Sequence, residues 1–243
     1  MRLEGQVAIV TGGGGGIGKA TCLAFAREGA DIVIPEVNMA NAEAAAAEIM
    51  ALGRKCQVIE TDVSDGNSVC KMIQETLDLF GRIDILVNNA GIFSYTPIEA
   101  CTEAEWDRMM AVNLKGPFLC SQAVMETMKV QRSGRIINLG SLAGQVGGLV
   151  ASAPYSASKA GVMCLTKSLA LALGEYGITV NSIAPGVAAT EMTKNHPDMI
   201  DRIPLGRVAD ASEVATTILF LASEDGRYVT GATLDVNGGI RMA

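Results

Sequence analysis

Apolar residues in this chain fall into short, unbroken blocks. Residues 6–11 hold Val-Ala-Ile-Val, and similar runs occupy 31–34, 55–60, 83–87, 134–139, 178–183 and 232–236. The blocks do not alternate with polar residues, which is the pattern of strands covered on both faces. The stretches between them favour helix, at 19–28, 40–52, 65–80, 102 to about 129, 155–173 and 211–222. Gly29 and Gly53 stop the first two, and Ser64 or Asp65 is placed to cap the third. Strand and helix alternate over the whole length, with no repeat and no linker. The expected architecture is α/β: one Rossmann-type, doubly wound parallel sheet of about seven strands, helices on both faces, right-handed crossovers. A single domain spanning 1–243 follows. Residues 187–207 break the pattern, lack periodicity and contain Pro197 and Pro204. A loop of that length in a compact domain is expected to be functional, so 187–210 is read as a substrate loop or lid.

The first strand-to-helix junction carries chemistry. Gly12 to Gly16 are five consecutive glycines, followed by Ile17 and Gly18. A glycine loop between a buried strand and a helix cradles phosphates: the backbone can approach closely, and the helix N-terminus faces the charge. Both Gly13-x-Gly15-x-x-Gly18 and Thr11-Gly12-x3-Gly16-x-Gly18 fit such a loop. Glu36 ends the second strand, 20 residues beyond Gly16. A carboxylate there accepts hydrogen bonds from adenosine ribose hydroxyls and repels a 2′-phosphate. No arginine stands in the loop or beside Glu36, so the expected cofactor is NAD rather than NADP.

Tyr155 and Lys159 are four residues apart in a helical stretch and therefore share a face. A lysine charge roughly 5 Å from a phenol, at an effective dielectric of about 20, is worth roughly 3 kcal/mol, or about two pKa units. Such a shift would bring the phenol towards working pH, where it can exchange a proton with an alcohol or ketone. Asn113 stands in the middle of the long 102–129 stretch, a poor interior helix position, and either caps a local break or has a functional side chain. Asn88 and Asn89 follow the fourth strand, where they line a ligand crevice or satisfy turn backbone groups.

Composition narrows the classes. Hydrophobic residues make up 49% and charged residues 19%, enough for a large core and too apolar for disorder. A net charge of −7 argues against a nucleic-acid partner. No apolar run approaches about 18 residues, so no membrane span is expected, and no signal-peptide core precedes the first strand. The six cysteines (Cys22, Cys56, Cys70, Cys101, Cys120 and Cys164) form no Cys-x-x-Cys pair and read as reduced thiols of a cytoplasmic protein. His196 is the one histidine; it reads as a surface residue, and no metal site is expected.

Together, Thr11-Gly12-x3-Gly16-Ile17-Gly18, Asp62-Val63, Asn88-Asn89-Ala90-Gly91, Asn113, Ser141, Tyr155-x3-Lys159 and Pro185-Gly186 resemble the short-chain dehydrogenase/reductase family across essentially the whole chain. Much of the chain is similar to that family's 3-oxoacyl-(acyl-carrier-protein) reductases. The resemblance implies a catalytic set of Asn113, Ser141, Tyr155 and Lys159. Tyr155 would donate or accept the proton, Lys159 would lower its pKa and hold the nicotinamide ribose, and Asn113 would hold a water relaying protons to Lys159. The cofactor would be held by Gly12, Gly15, Gly16, Ile17, Gly18, Glu36, Asp62, Val63, Asn89, Ala90, Gly91, Pro185, Gly186 and Val187, together with Tyr155 and Lys159. Ser141, Gln145 and Tyr155 would contact the substrate, inside a pocket of Phe93, Tyr95, Leu142, Val146, Leu149, Val150, Val187 and Met192. Ser141 and Tyr155 are 14 residues apart, one more than is expected for many members, which would reshape the pocket. The implied activity is NAD(H)-dependent interconversion of a small-molecule ketone and a secondary alcohol by a homotetramer. The alternative is a carrier-protein reductase; those usually take NADPH and present two arginines to an acidic carrier. Arg132 matches one, but Tyr176 stands at the other. More distant readings are a non-catalytic nucleotide sensor and an epimerase or dehydratase with bound NAD.

Overall fold

A computed structural model describes residues 1–148, 151–194 and 200–242. Leu149, Val150 and His196 therefore lie outside the described residues. In chain order the elements are β1 (Val7–Val10), α1 (Gly16–Arg27), β2 (Asp31–Glu36), α2 (Met39–Ala51), β3 (Cys56–Glu60), α3 (Gly66–Phe80), β4 (Ile85–Asn88), α4 (Glu103–Met110), α5 (Gly116–Gln131), β5 (Gly134–Leu139), α6 (Leu142–Val146), α7 (Ala153–Leu173), β6 (Ile178–Pro185), β7 (Ala188–Ala189), β8 (Ala209–Asp210), α8 (Ala211–Ala222) and β9 (Thr233–Val236). Seven strands form one parallel sheet in the order β3-β2-β1-β4-β5-β6-β9, and the short β7 and β8 pair separately.

The absence of alternation in the strands has its cause in two cores. Successive side chains of a strand point to opposite faces. Ala8 and Val10 of β1 join one core with α1, α2 and α8, while Val7 and Ile9 join the other with α3, α5 and α7. Both faces are covered, so all four positions of β1 are apolar.

Two departures from the sequence pattern have local reasons. β2 continues through Pro35 to Glu36 instead of stopping at Ile34. The Pro35 carbonyl faces β1's side and accepts from Gly12 N at 2.9 Å. The N–H that proline lacks lies on the same side, so the β1–β2 ladder gives up one bond, at its very end. The long helix expected over 102–129 is divided: a single π turn, Ala111–Lys115, separates α4 from α5. It holds Asn113 and precedes Gly116-Pro117, where a regular ladder could not use the missing proline N–H. α6, by contrast, is a short helix in the glycine-rich, apolar stretch that leads into α7.

All the strands of the main sheet end at one edge, and β1 and β4 part there in opposite directions. This is the switch point at which open α/β sheets bind ligands. Thr11 Oγ1 donates to Val87 O and accepts from Asn89 N and Ala90 N, the last two at 3.0 Å. Asn89 Nδ2 donates to Thr11 O at 2.9 Å and Gly12 O at 3.0 Å. Gly18 of α1 packs directly on this junction: a Cβ there would fall 2.3 Å from Gly12 O and 2.5 Å from Asn89 Nδ2. At Gly15 a Cβ would meet nothing within 4 Å, and φ is an ordinary −156°. Gly18→Ala is therefore expected to lose more than about 2 kcal/mol of stability, and Gly15→Ala to stay within about 0.5 kcal/mol of wild type. Urea unfolding of both variants checks this; equal losses would mean the α1 junction is not tightly packed.

Candidate active site

Three elements bring the proposed reacting groups together. Ser141 follows β5 and caps α6, its Oγ accepting from Ala143 N at 3.1 Å. Tyr155 and Lys159 project from the first turns of α7. α6 and α7 pack closely because Gly144 has no side chain; a Cβ there would lie 2.6 Å from Ala160 N. The neighbouring Ser141 hydroxyl favours the Tyr155 phenolate, yet burial of the phenol outweighs it and raises the pKa. Phe93 packs edge-on against Tyr155 with ring centres 4.7 Å apart, and Tyr95 packs on Phe93 at the same distance. Lys159 is 6% exposed, and its Nζ donates to Leu139 O at 2.7 Å. Burial lowers its pKa to about 8. The Nζ lies 5.8 Å from the centre of the Tyr155 ring.

These values correct the simple charge argument. In the protein alone, desolvation dominates both groups, and the Tyr155 pKa moves up rather than down. Lys159 spends one N–H on a carbonyl and is itself reluctant to stay charged.

Asn113 is fully buried, and its side chain is occupied. Its Oδ1 accepts from Ile92 N at 2.8 Å, and its Nδ2 donates to Ile92 O at 2.9 Å. The side chain clamps the segment after Gly91, so a water relay through this residue would have to use its main-chain carbonyl, in the turn where the helical ladder is interrupted.

The residues expected to hold a dinucleotide line one edge of the sheet. Gly12, Gly15, Gly16, Ile17 and Gly18 connect β1 to α1; Glu36 ends β2; Asp62 and Val63 follow β3; Asn89, Ala90 and Gly91 follow β4; Pro185, Gly186 and Val187 close β6. Three observations fit a nicotinamide dinucleotide. The N-cap of α1, Gly15, has no side-chain cap, and no acid stands in the first turn, so the helix start is open to a phosphate. Asp62 is kept ionised, mainly by the Ser64 hydroxyl. A Cβ on Gly91 would stand 3.2 Å from Asn113 Oδ1 and 3.7 Å from Lys159 Nζ, so glycine keeps a cradle open beside the lysine. Two residues have different work from the one expected. The Val63 side chain is buried against Gly116, leaving only its backbone to face a cofactor. The Asn89 amide is consumed in fastening the glycine loop.

Beside Ser141 and Tyr155 lies a mostly apolar pocket. Phe93, Leu142, Val146, Val187 and Met192 line it as the sequence suggested. Tyr95 stands behind Phe93 instead of in the wall. Gln145 is a correction: its Nε2 donates to Asp235 Oδ1 at 2.7 Å, and it does not line the pocket. Asp235 also holds Arg241 at 2.8 Å. Residues the sequence did not point to are Ala143, Ala151, Ile240 and Thr193 in the wall, and Thr190, whose methyl would meet a Cβ on Gly16 at 3.2 Å. The Thr190-x-x-Thr193 cap was the available signal for the last pair. Among the described residues no helix is long and apolar enough to cross a membrane, and no cluster of candidate metal ligands occurs.

Comparison with known proteins places relatives around this geometry. Residues 6–201 match the family model described as short chain dehydrogenase. The chain is 44% identical over 244 residues to a 3-oxoacyl-[acyl-carrier-protein] reductase of Synechocystis sp., covering 99% of this chain and 98% of that protein. It is 41% identical over 244 residues to the (2S)-[(R)-hydroxy(phenyl)methyl]succinyl-CoA dehydrogenase subunit BbsD of Thauera aromatica, covering 98% of each. Among solved structures, a short-chain type dehydrogenase/reductase from Mycobacterium marinum superposes with a TM-score of 0.96 at 34% identity, over 99% of this chain and 97% of that one. Levodione reductase superposes with a TM-score of 0.93 at 35% identity over 98% of each.

The buried ammonium makes a stability prediction. Lys159 has a folded pKa of about 8 against an ordinary value of 10.5, so the unfolded chain binds more protons between those values. Below pH 8 the folded protein carries the full cost of the buried charge; the cost is relieved as pH rises towards 10.5. Relative to Lys159→Met, wild type should gain about 3 kcal/mol between pH 7.5 and 10.5. Urea unfolding at the two pH values measures it, and a pH-independent gap would show that Lys159 is not desolvated.

Proposed function

The chain belongs to the short-chain dehydrogenase family, and on that premise we propose that it interconverts a secondary alcohol and a ketone with NAD(H). The observation that carries the reading is the Tyr155 hydroxyl paired with Ser141 at the wall of an apolar pocket, with Lys159 buried behind it. In this reading the nicotinamide supplies or accepts the hydride when bound. Ser141 holds the substrate oxygen, and Tyr155 gives that oxygen its proton or takes it away. The phenol's raised pKa suits a donor, the ketone-reducing direction. Lys159 orients the ribose side of the crevice and stabilises the phenolate once the proton has left. Phe93 keeps water from the phenol.

NAD is supported over NADP by Glu36, a carboxylate at the adenosine-ribose end with no ion pair among the described residues. A neutral, largely apolar ketone is supported by the pocket wall, whose polar members are Ser141, Tyr155 and Thr193. Six free thiols support a reducing, cytoplasmic setting. A homotetramer is supported by exposed apolar side chains on the helices around the site, Trp106, Phe118 and Leu171.

The relatives named 3-oxoacyl-[acyl-carrier-protein] reductase favour a second reading, a carrier-bound thioester. Against it, the Arg132 guanidinium donates to Glu175 O at 3.0 Å, and Lys129 stacks over Tyr176 at 5.1 Å, so the local cations are engaged.

Oxidation of NADH and NADPH at about 340 nm, over ketones, diketones and a β-ketoacyl thioester, separates the readings. NADH-dependent reduction of a small ketone is expected; faster NADPH-dependent reduction of the thioester would replace the first reading with the second. Tyr155→Phe should lose roughly 10²–10⁴-fold in kcat with cofactor binding retained. Full turnover in that variant would remove Tyr155 from the mechanism.

A further inference from the structure

The last residues of the chain are fastened to the pocket wall through one carboxylate. Asp235 stands on β9, the edge strand of the main sheet. Its Oδ1 accepts from Gln145 Nε2 on α6 at 2.7 Å, and its Oδ2 accepts from Arg241 Nη1 at 2.8 Å. Each donor is the chain neighbour of a pocket residue, Val146 on α6 and Ile240 in the terminal segment. Between Asp235 and Arg241 the chain turns sharply, with φ of +65° at Gly238 and +90° at Gly239. Asn237 closes that turn: its Oδ1 accepts from Gly239 N at 3.0 Å, and its Nδ2 donates to Arg241 O at 3.2 Å. The turn also meets the substrate loop. Leu205 N donates to Gly238 O at 3.2 Å, and a Cβ on Gly239 would lie 3.0 Å from the Pro204 ring. Asp235 and this turn thus join α6, the terminal segment and the loop.

Gln145 is held with one atom unsatisfied. Its Oε1 is buried with no hydrogen-bond partner among the described residues. The amide cannot rotate to offer that oxygen to Asp235, because a carboxylate has only acceptors. An apolar side chain of the same shape would avoid the orphan, so the bond to Asp235 is what the glutamine adds.

We propose that Gln145, Asp235 and Arg241 are a positioning unit for the substrate: they fix α6 against the terminal segment and so set how closely Val146 and Ile240 approach a bound ketone. None of the three lines the pocket, so they act through those neighbours. The reacting groups are anchored separately, Ser141 by Ala143 N and Lys159 by Leu139 O. Cutting the unit therefore loosens the wall while the proton-transfer groups keep their places. The inference rests on the reading of this pocket as the ketone site.

The test is steady-state reduction of the ketones and diketones of the cofactor assay, with methyl ketones from 2-butanone to 2-decanone added, by wild type, Gln145→Met, Arg241→Met and the double variant. Gln145→Met also removes the buried orphan, so its thermal midpoint should stay within about 2 °C of wild type. For the ketone that wild type prefers, each single variant should raise KM at least fivefold and change kcat less than twofold. The double variant should stay within twofold of the weaker single one, because either cut already opens the unit. Arg241→Lys, which keeps a cation in reach of Asp235, should return KM to within twofold of wild type. Wild-type KM in the single variants, KM increases that multiply in the double variant, or a loss of kcat that tracks a fall in thermal midpoint would overturn the inference and leave the ketone reading intact. A wild type that reduces none of these compounds with either NADH or NADPH would overturn the ketone reading and the inference with it.

Discussion

The site depends on how two neighbouring parallel strands come apart. β1 and β4 are hydrogen-bonded along their length, then leave the sheet in opposite directions. Their last polar groups would be orphaned at that point, and unpaired buried backbone groups are costly. Thr11 and Asn89 take up those groups from one side each. The crevice is therefore held open by a closed set of hydrogen bonds rather than by empty space. α1 can then advance until Gly18 touches the junction, which aims its N-terminus across the gap.

Much of this was legible in the sequence, and the reasons differ by feature. Strands covered on both faces announce themselves as apolar runs, and all seven of the main sheet were found within a few residues. The glycine loop, Tyr155 and Lys159 are local patterns, carried by spacing alone. What escaped was whatever depended on partners distant in the chain. Asp235 claims Gln145 from 90 residues away, and no local signal marks that pairing. Ile240 reaches the pocket because the segment after β9 turns back over it. The π turn at Asn113 could be suspected from a poorly placed asparagine, but not which of two roles the side chain would take. Its capture by Ile92 is a tertiary fact.

Electrostatics was the least legible layer. Coulomb arithmetic on Tyr155 and Lys159 gave the phenol a lowered pKa, because distance along a helix is readable and burial is not. Once both groups are enclosed, loss of water acts on each separately and with opposite sign. The pair by itself is thus closer to neutral phenol and reluctant ammonium than to phenolate and cation. A cationic ring beside the phenol would favour the phenolate, so the charge state of Tyr155 is tied to what occupies the crevice.

The two cores set a boundary that bears on how such a protein can change over generations. Phe93, Val146, Val187, Met192 and Ile240 line the pocket, yet none belongs to either core. They stand on segments beyond the strand ends, supported by a sheet whose stability is lodged elsewhere. Drift at these positions can redraw the set of accepted substrates while folding goes untouched. The same insulation makes substrate identity the property least constrained by ancestry, and relatives alike in every strand can part company in what they reduce.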